Sequence, residues 1–419
     1  MAALLFISFI VLLLIGVPVA FAIAAAAFLV LLKGDVKLLI LVQRMFASTD
    51  SFSLIAVPFF IFAGDLLAKG KVSKVLVEFA ESLLGMLKGG LSIVSVLAGM
   101  FFAAISGSGA ATTAAVGATL IPELKKRGYR EDSAAALIAA AGTIGVVIPP
   151  SVPMVLYAVI SEDSVNTLFR NGFIPGALMG VILVAISLYQ ARKFNYPKGK
   201  PFSVGNVLRT FKEAIWGILM PLIILGGIFS GYFTPSEAAA VAVIYAIFVS
   251  FFIYRDLDFK GLVEIMKGSA KTSAVIMIII ACSGPFGWVL ANYKIPEAIA
   301  SGVLGISTNK YVIMFLISLI ILLAGVFMET SSAIIILSPV FLPLVKAMGI
   351  STVHFGILFV VGIAIGMITP PVAINLFVAS GITGLPIERI SKSVIPYLIG
   401  LIIVFFMIVY VPLLIPGLM

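Results

Sequence analysis

The sequence predicts an all-α polytopic membrane protein built from two inverted repeats, and three observations carry that prediction. The 419 residues are 62% hydrophobic and 11% charged, with a mean hydropathy of +1.25, whereas a soluble domain would carry roughly 25% charge. Uncharged runs long enough to span a bilayer recur between charged segments. Proline and glycine positions then repeat at one constant offset.

Charges fall at 33–50, 69–88, 123–132, 162–170, 192–213, 255–271, 294–310, 346–354 and 388–392, and the runs between them give about a dozen membrane segments. The first, MAALLFISFIVLLLIGVPVAF, has no basic start and continues apolar to Leu32, so it reads as a retained span rather than a cleaved leader. Lys and Arg outnumber Asp and Glu by 27 to 18. The basic residues lie between apolar runs, which makes them topology signals and argues against nucleic-acid binding. One cysteine, Cys282, and one histidine, His354, exclude a disulfide framework and a Cys/His metal cluster. Cys282 is expected in helix packing and His354, after a short loop, at the surface.

Two runs are too long for one span. Gly89 to Pro122 holds about 34 uncharged residues, roughly 51 Å as a straight helix against a hydrocarbon core near 30 Å. It must fold back, and SGSG (Ser106–Gly109) is the weak point, predicting a hairpin over about 90–122. Tyr311 to Val345 repeats the arithmetic with Glu329 near its centre, predicting a second hairpin over about 311–345 with its tip in METSSA (Met328–Ala333).

The two hairpins belong to one repeat. Pro122 recurs as Pro343 and Pro149 as Pro370, each 221 positions later, and Gly128/Gly349, Gly145/Gly366, Pro150/Pro371 and Pro175/Pro396 share that offset. LAGMF (Leu97–Phe101) matches LAGVF (Leu323–Phe327) at 226, which predicts a five-residue length difference at the tips. The repeats are expected over 1–212 and 213–419. Segment ELKKRGYRED carries four basic residues and its partner KAMGIS one, while SEDSVNTLFR nets negative and its partner around Glu388, Arg389 and Lys392 nets positive. A charge bias that flips between halves predicts inversion, with 192–213 (including Lys198 and Lys200) cytoplasmic. The positive segment at 33–50 fits that scheme poorly and leaves the N-terminal topology open.

After each hairpin comes a helix broken by a proline pair: GTIGVVIPPSVPMVLYA over about 133–160 and GIAIGMITPPVAINLFVA over about 355–383. Proline frees carbonyls at membrane depth, and exposed backbone there is tolerated only around a protein-lined cavity or ligand. Carbonyls with Ser/Thr hydroxyls suit a small cation, and helix N-termini suit an anion. Glu329, an intramembrane carboxylate, is expected to face that polar site. Asp65 and Glu237 lie nearer segment ends, where carboxylates snorkel or cap. Enzyme readings fail: Ser106 stands where a G-x-S-G nucleophile motif needs glycine, His354 is the single base, and no phosphate loop or metal-ligand spacing is present. A channel would need none of the duplicated hairpins, and it stays open as the less favoured alternative.

SGSGAATTAAVGATLIPELKKRGY, GVVIPPSVPMVLYA and GMITPPVAINLFVA resemble the large membrane subunit, DctM/SiaM-like, of tripartite ATP-independent periplasmic (TRAP) transporters, over essentially the whole chain. The resemblance implies an elevator-type secondary transporter of the ion-transporter superfamily in the bacterial inner membrane. It implies sodium-coupled uptake of a carboxylated solute, sialic acid or C4-dicarboxylate in type, with no cofactor besides the coupling sodium. The implied partners are a periplasmic substrate-binding protein and a small four-helix membrane subunit, here a separate chain. Carried over by position, one sodium site uses Ser106 with the carbonyls of Gly145, Ile148 and Pro150; a second uses Gly325, Gly366, Met367 and Thr369. Substrate is implied near Ser108, Ser151 and Glu329. Many relatives carry aspartate at the position of Glu329, which leaves its role open between attracting a cation and bonding the substrate. The tips SGSG and ETSS differ from the Ser-Asn-Thr of the divalent-anion transporter group. A stand-alone sodium/anion symporter of the same architecture is the alternative.

Overall fold

The computed structural model describes residues 1–199, 201–306 and 309–414; Lys200 lies outside them. Nineteen α-helices are present among the described residues. The first repeat holds α1 (Ala2–Leu14), α2 (Val19–Lys33), α3 (Leu39–Thr49), α4 (Ala56–Ala68), α5 (Val72–Leu84), α6 (Gly90–Ser106), α7 (Gly109–Lys126), α8 (Glu131–Thr143), α9 (Val152–Ser161) and α10 (Val165–Lys193). The second holds α11 (Val204–Phe229), α12 (Pro235–Phe248), α13 (Phe259–Asn292), α14 (Ile295–Ile306), α15 (Lys310–Phe327), α16 (Thr330–Ala347), α17 (Thr352–Gly366), α18 (Ile374–Thr383) and α19 (Ile387–Leu414).

The offset of 221 relates α5 through α10 to α14 through α19 within a residue or two at almost every end. It also relates α3 and α4 together to α13; the first copy is bent by 63° where the second is one uninterrupted helix. The boundary expected at 212/213 is corrected, since it falls inside α11; the halves divide in 194–203 instead. The five-residue difference at the tips is also corrected. α6 ends at Ser106 and α15 at Phe327, α7 begins at Gly109 and α16 at Thr330, all at 221. LAGMF and LAGVF are therefore a coincidence of small residues lying more than one helical turn out of register.

The repeats are inverted. Equivalent helices α10 and α19 pack antiparallel: Tyr397 donates to Gln190 Oε1 at 3.0 Å, while Gly400, further along α19, faces Ile186 and Ile182, further back in α10. One end of the molecule gathers the basic segments, where Ser393 donates to Asp132 at 2.9 Å. The other end joins Thr352 to Asp163 at 2.8 Å.

Among the described residues seven helices are long and apolar enough to cross a membrane, or eight with the bent α3/α4 pair, and six more are short apolar pieces. The expected dozen spans thus divides into whole and partial crossings, because tips and proline breaks cut the runs. The N-terminal run is likewise two helices, α1 and α2, parted at Gly16, whose φ is 87°, and Pro18. His354 is not at the surface: it is buried in the first turn of α17, its Nε2 2.9 Å from Ile408 O. Cys282 is buried in α13 and Glu237 caps α12 through Thr234, both as expected.

The broken helices interleave the halves. α9 packs on α16 and α17 of the second repeat, and α18 packs on α7 and α8 of the first. The crossing is tight at Gly356, where a β-carbon would lie 2.3 Å from the Tyr157 ring, and the Tyr157 hydroxyl donates to Thr352 O at 2.7 Å.

Candidate functional site

Each predicted hairpin turns in two residues. At the first, Gly107 adopts φ 59°, and a β-carbon there would meet Pro150 O at 2.7 Å, so both conformation and space require glycine. Ser108 then caps α7, accepting from Ala111 N at 3.4 Å. At the second tip Met328 and Glu329 are extended, and Glu329, the counterpart of Ser108, caps α16. Its carboxylate accepts from Ser331 N at 2.9 Å, Ser332 N at 3.1 Å and Ser331 Oγ at 3.1 Å. The intramembrane carboxylate is therefore held by the helix it begins.

Between the tips lies a cavity of about 300 Å³. Four helix N-termini open onto it: Gly109–Ala111 of α7, Val152 and Pro153 of α9, Thr330 and Ser331 of α16, and Ile374 of α18. Ile61 and Asp65 of α4 with Thr272 and Ile276 of α13 close the opposite wall. Among the described residues no Lys, Arg or His lines it, and its charged groups are Asp65 and Glu329. Asp65 thus neither caps nor snorkels, as its position near a segment end had predicted. Its Oδ2 accepts from Ser269 Oγ of α13 at 2.6 Å, which fixes the carboxylate on the cavity wall.

Three members of the first expected cation site come together. Ser106 Oγ is 2.8 Å from Thr112 Oγ1 and donates to Ser108 O at 3.2 Å, and Thr112 Oγ1 donates to the same carbonyl at 2.8 Å. A β-carbon on Gly145 would touch Ser108 O at 2.7 Å, and Pro150 O borders Gly107. The Ile148 side chain packs toward Gly176 of α10 and its amide donates to Ile144 O at 3.0 Å, so its expected part in the site falls to its carbonyl. In the second expected site Gly325 and Gly366 touch backbone to backbone, with a β-carbon on Gly366 only 2.1 Å from Gly325 C. Thr369 Oγ1 donates to Ile365 O at 2.9 Å, and Met367 O accepts from Asn375 N at 2.9 Å. The Met367 side chain crosses to the first tip, its Cε 2.8 Å from a β-carbon placed on Gly109, and its sulfur accepts from Thr330 Oγ1 at 3.6 Å. Among the described residues no three His, Cys, Asp or Glu side chains cluster, so a cation here would rely on neutral oxygens.

Of the expected substrate residues, Ser108 and Glu329 line the cavity and Ser151 does not. Ser151 is fully buried, donating to Val146 O at 2.5 Å and accepting from Met154 N at 3.3 Å as the cap of α9. The two breaks differ in access. Pro149, Pro150 and Ser151 are buried, whereas Pro370, Pro371 and Val372 are exposed. The first tip is covered as well: a β-carbon on Gly64 of α4 would lie 3.0 Å from Ser106 Cα. Both proline pairs contain a cis bond, Pro149–Pro150 and Pro370–Pro371. Sequence reasoning missed Thr112, Asp65 and Asn375. Asn375 is fully buried, donates to Ala139 O at 3.1 Å across the repeats, and leaves its Oδ1 unpaired; a lone amide inside TPPVAINLF was the available signal.

The DctM family profile, described as "Tripartite ATP-independent periplasmic transporter, DctM component", matches residues 6–414. An isethionate TRAP transporter permease protein, DctMQ, from Oleidesulfovibrio alaskensis is 40% identical over 96% of this chain. The chain spans only 63% of that relative's length. A C4-dicarboxylate TRAP transporter large permease from Pseudomonas aeruginosa is 40% identical over 88% of this chain and 86% of its own. A sialic acid TRAP transporter large permease from Vibrio cholerae is 36% identical over 95% and 93%. The crystal structure of the Alcanivorax borkumensis YdaH transporter shares the fold, with a TM-score of 0.64 at 14% identity over 89% of this chain and 87% of that one. The chain therefore belongs to the DctM family of large TRAP permeases, and is a multi-pass inner-membrane transport protein rather than an enzyme.

Proposed function

We propose that this permease carries a carboxylated solute inward with sodium after a periplasmic substrate-binding protein delivers it. The observation that supports an organic anion best is the convergence of four helix N-termini on a cavity without a basic side chain. Helix dipoles, and the N–H groups left over once Ser108, Ser151 and Glu329 have capped their helices, attract a carboxylate, and the absence of a full cationic charge leaves it free to depart. Ser108 and Glu329 would bond its hydroxyl or amide groups, while Ser151 acts indirectly by holding the start of α9. Relatives named for C4-dicarboxylate, sialic acid and isethionate transport accord with an acidic cargo.

Sodium coupling draws support from the oxygens gathered at each half. Ser106 and Thr112 with the carbonyls of Gly145, Ile148 and Pro150 would supply one ion; Gly325, Gly366, Met367 and Thr369 would supply the other. The covered first tip and open second break are what one end-state of an elevator-type exchange would present, with tips and broken helices moving against α4 and α13. A small four-helix subunit would brace that scaffold.

The test is uptake of labelled organic acids into proteoliposomes holding this chain, its small partner and its binding protein. Uptake should need both an inward sodium gradient and the binding protein. Uptake of free solute without the binding protein would establish a stand-alone symporter instead, and sodium-independent flux would overturn the coupling.

A further inference from the structure

Where α10 ends, α8 and α19 begin, and the three leave a groove of about 420 Å³ between them. Its walls carry Arg130, Arg389 and Lys392 against a single carboxylate, Asp132. That carboxylate is already engaged, accepting from Arg130 Nη2 at 2.8 Å and from Ser393 Oγ at 2.9 Å. Arg389 and Lys392 form no ion pair among the described residues, and both are exposed. Gln190 adds a different kind of signal. It is 7% exposed and lines the groove; its Oε1 accepts from Tyr397, so its amide nitrogen is the donor it can offer the groove. The groove thus offers surplus positive charge and an amide donor on its wall, which together describe an anion site.

Its surroundings identify the anion. Lys125, Lys126, Arg127, Arg192 and Lys193 belong to the same end of the molecule, which the positive-inside rule places at the cytoplasmic face, beside anionic lipid. Phe194 lines the groove with the Arg130 guanidinium 5.1 Å and Lys193 Nζ 5.8 Å from its ring centroid. Toward the membrane centre, α19 continues from the groove as Ile395, Ile399, Ile403 and Met407, each 47–54% exposed and four residues apart on one helical face. We infer that this groove holds the phosphate of an anionic phospholipid, with its acyl chains along that stripe. Arg389 grips the phosphate oxygens through its planar fork, Lys392 supplies a point charge, and the Gln190 amide donates from below.

The experiment is native mass spectrometry of the purified protein titrated with phosphatidylglycerol, with phosphatidylcholine, and separately with inorganic phosphate. Phosphatidylglycerol should bind at least tenfold more tightly than phosphatidylcholine. Arg389→Gln with Lys392→Gln should weaken it about 30-fold, and Lys392→Gln alone about fivefold, the effect of one juxtamembrane charge; the single variant serves if the double one fails to fold. Removing equal charge elsewhere, by Lys212→Gln with Lys267→Gln, should change binding less than twofold. Equal binding of the two lipids, or an equal loss in the control pair, overturns the site. Inorganic phosphate binding as tightly as phosphatidylglycerol overturns the lipid as its source.

Discussion

Gly366→Ala tests the backbone crossing on which the second proposed sodium site depends. A β-carbon at 366 would sit 2.1 Å from Gly325 C, 2.3 Å from its O and 2.4 Å from its Cα. All three are backbone atoms of α15, so no change of rotamer relieves the clash. Carbon–carbon contact near 3.5 Å would require α15 and α17 to part by more than about 1 Å. Overpacking of a close-packed core costs about 1–3 kcal/mol, and an immovable neighbour places this case near 3, roughly a 100-fold change in equilibrium constant. Two neighbours calibrate the argument. Gly362→Ala would meet Ile321 Cγ2 at 2.6 Å and the Phe405 ring at 3.1 Å; side chains can shift, so about 1 kcal/mol is expected. Gly381→Ala, exposed in α18 with nothing within 4 Å, should be neutral or gain about 0.5–1 kcal/mol from helix propensity. Thermal unfolding of the purified variants, followed by fluorescence, should rank Gly366→Ala lowest, Gly362→Ala next and Gly381→Ala highest. The sodium concentration for half-maximal uptake should rise in Gly366→Ala alone. If Gly366→Ala melts with Gly381→Ala and keeps its sodium response, the close approach of α15 and α17 is not part of the mechanism.

Thr112→Val keeps shape but removes the hydroxyl shared by Ser106 Oγ and Ser108 O; it should cost about 1–2 kcal/mol and weaken sodium activation, read from uptake against sodium concentration. Ser106→Ala and Thr369→Ala should each weaken that activation too, and an unchanged response in both would remove the two proposed ion sites. Glu329→Ala loses the cap of α16 and should lower stability by about 1 kcal/mol, whereas Glu329→Ser, which copies Ser108, should restore stability in the same melt while leaving uptake impaired. Asp65→Asn retains the contact with Ser269 and should change solute affinity, measured as KM for uptake, with little change in melting temperature.

The reach of sequence reasoning varied between residues for physical reasons. Hairpin tips and proline breaks were legible because run length, lost N–H groups and glycine conformations act locally. Ser108 and Glu329 could be placed near a site because a hydroxyl or carboxylate within an apolar run needs polar company. Asp65 could not: its position near a segment end looked like capping, and only the packing of α4 on α13 turns it to the cavity. Ser151 erred in the opposite sense, since its hydroxyl is taken up by Val146 O and the start of α9. Gly99 and Gly325 shared a motif but not a place, because small-residue motifs carry no register across five residues of helix.

The sequence by itself determined that the chain is helical, membrane-spanning and duplicated at 221 positions, since hydropathy and proline spacing are properties of the chain. It determined where each half reverses and where each helix breaks. The tertiary structure decided that α9 and α18 cross into the opposite repeat, that four helix N-termini meet in one cavity, and that one tip is covered while the other stands open. Those outcomes depend on which faces of distant helices meet. That is settled by packing complementarity, such as glycine against backbone at Gly325/Gly366 and Gly64/Ser106, rather than by any pattern along one helix.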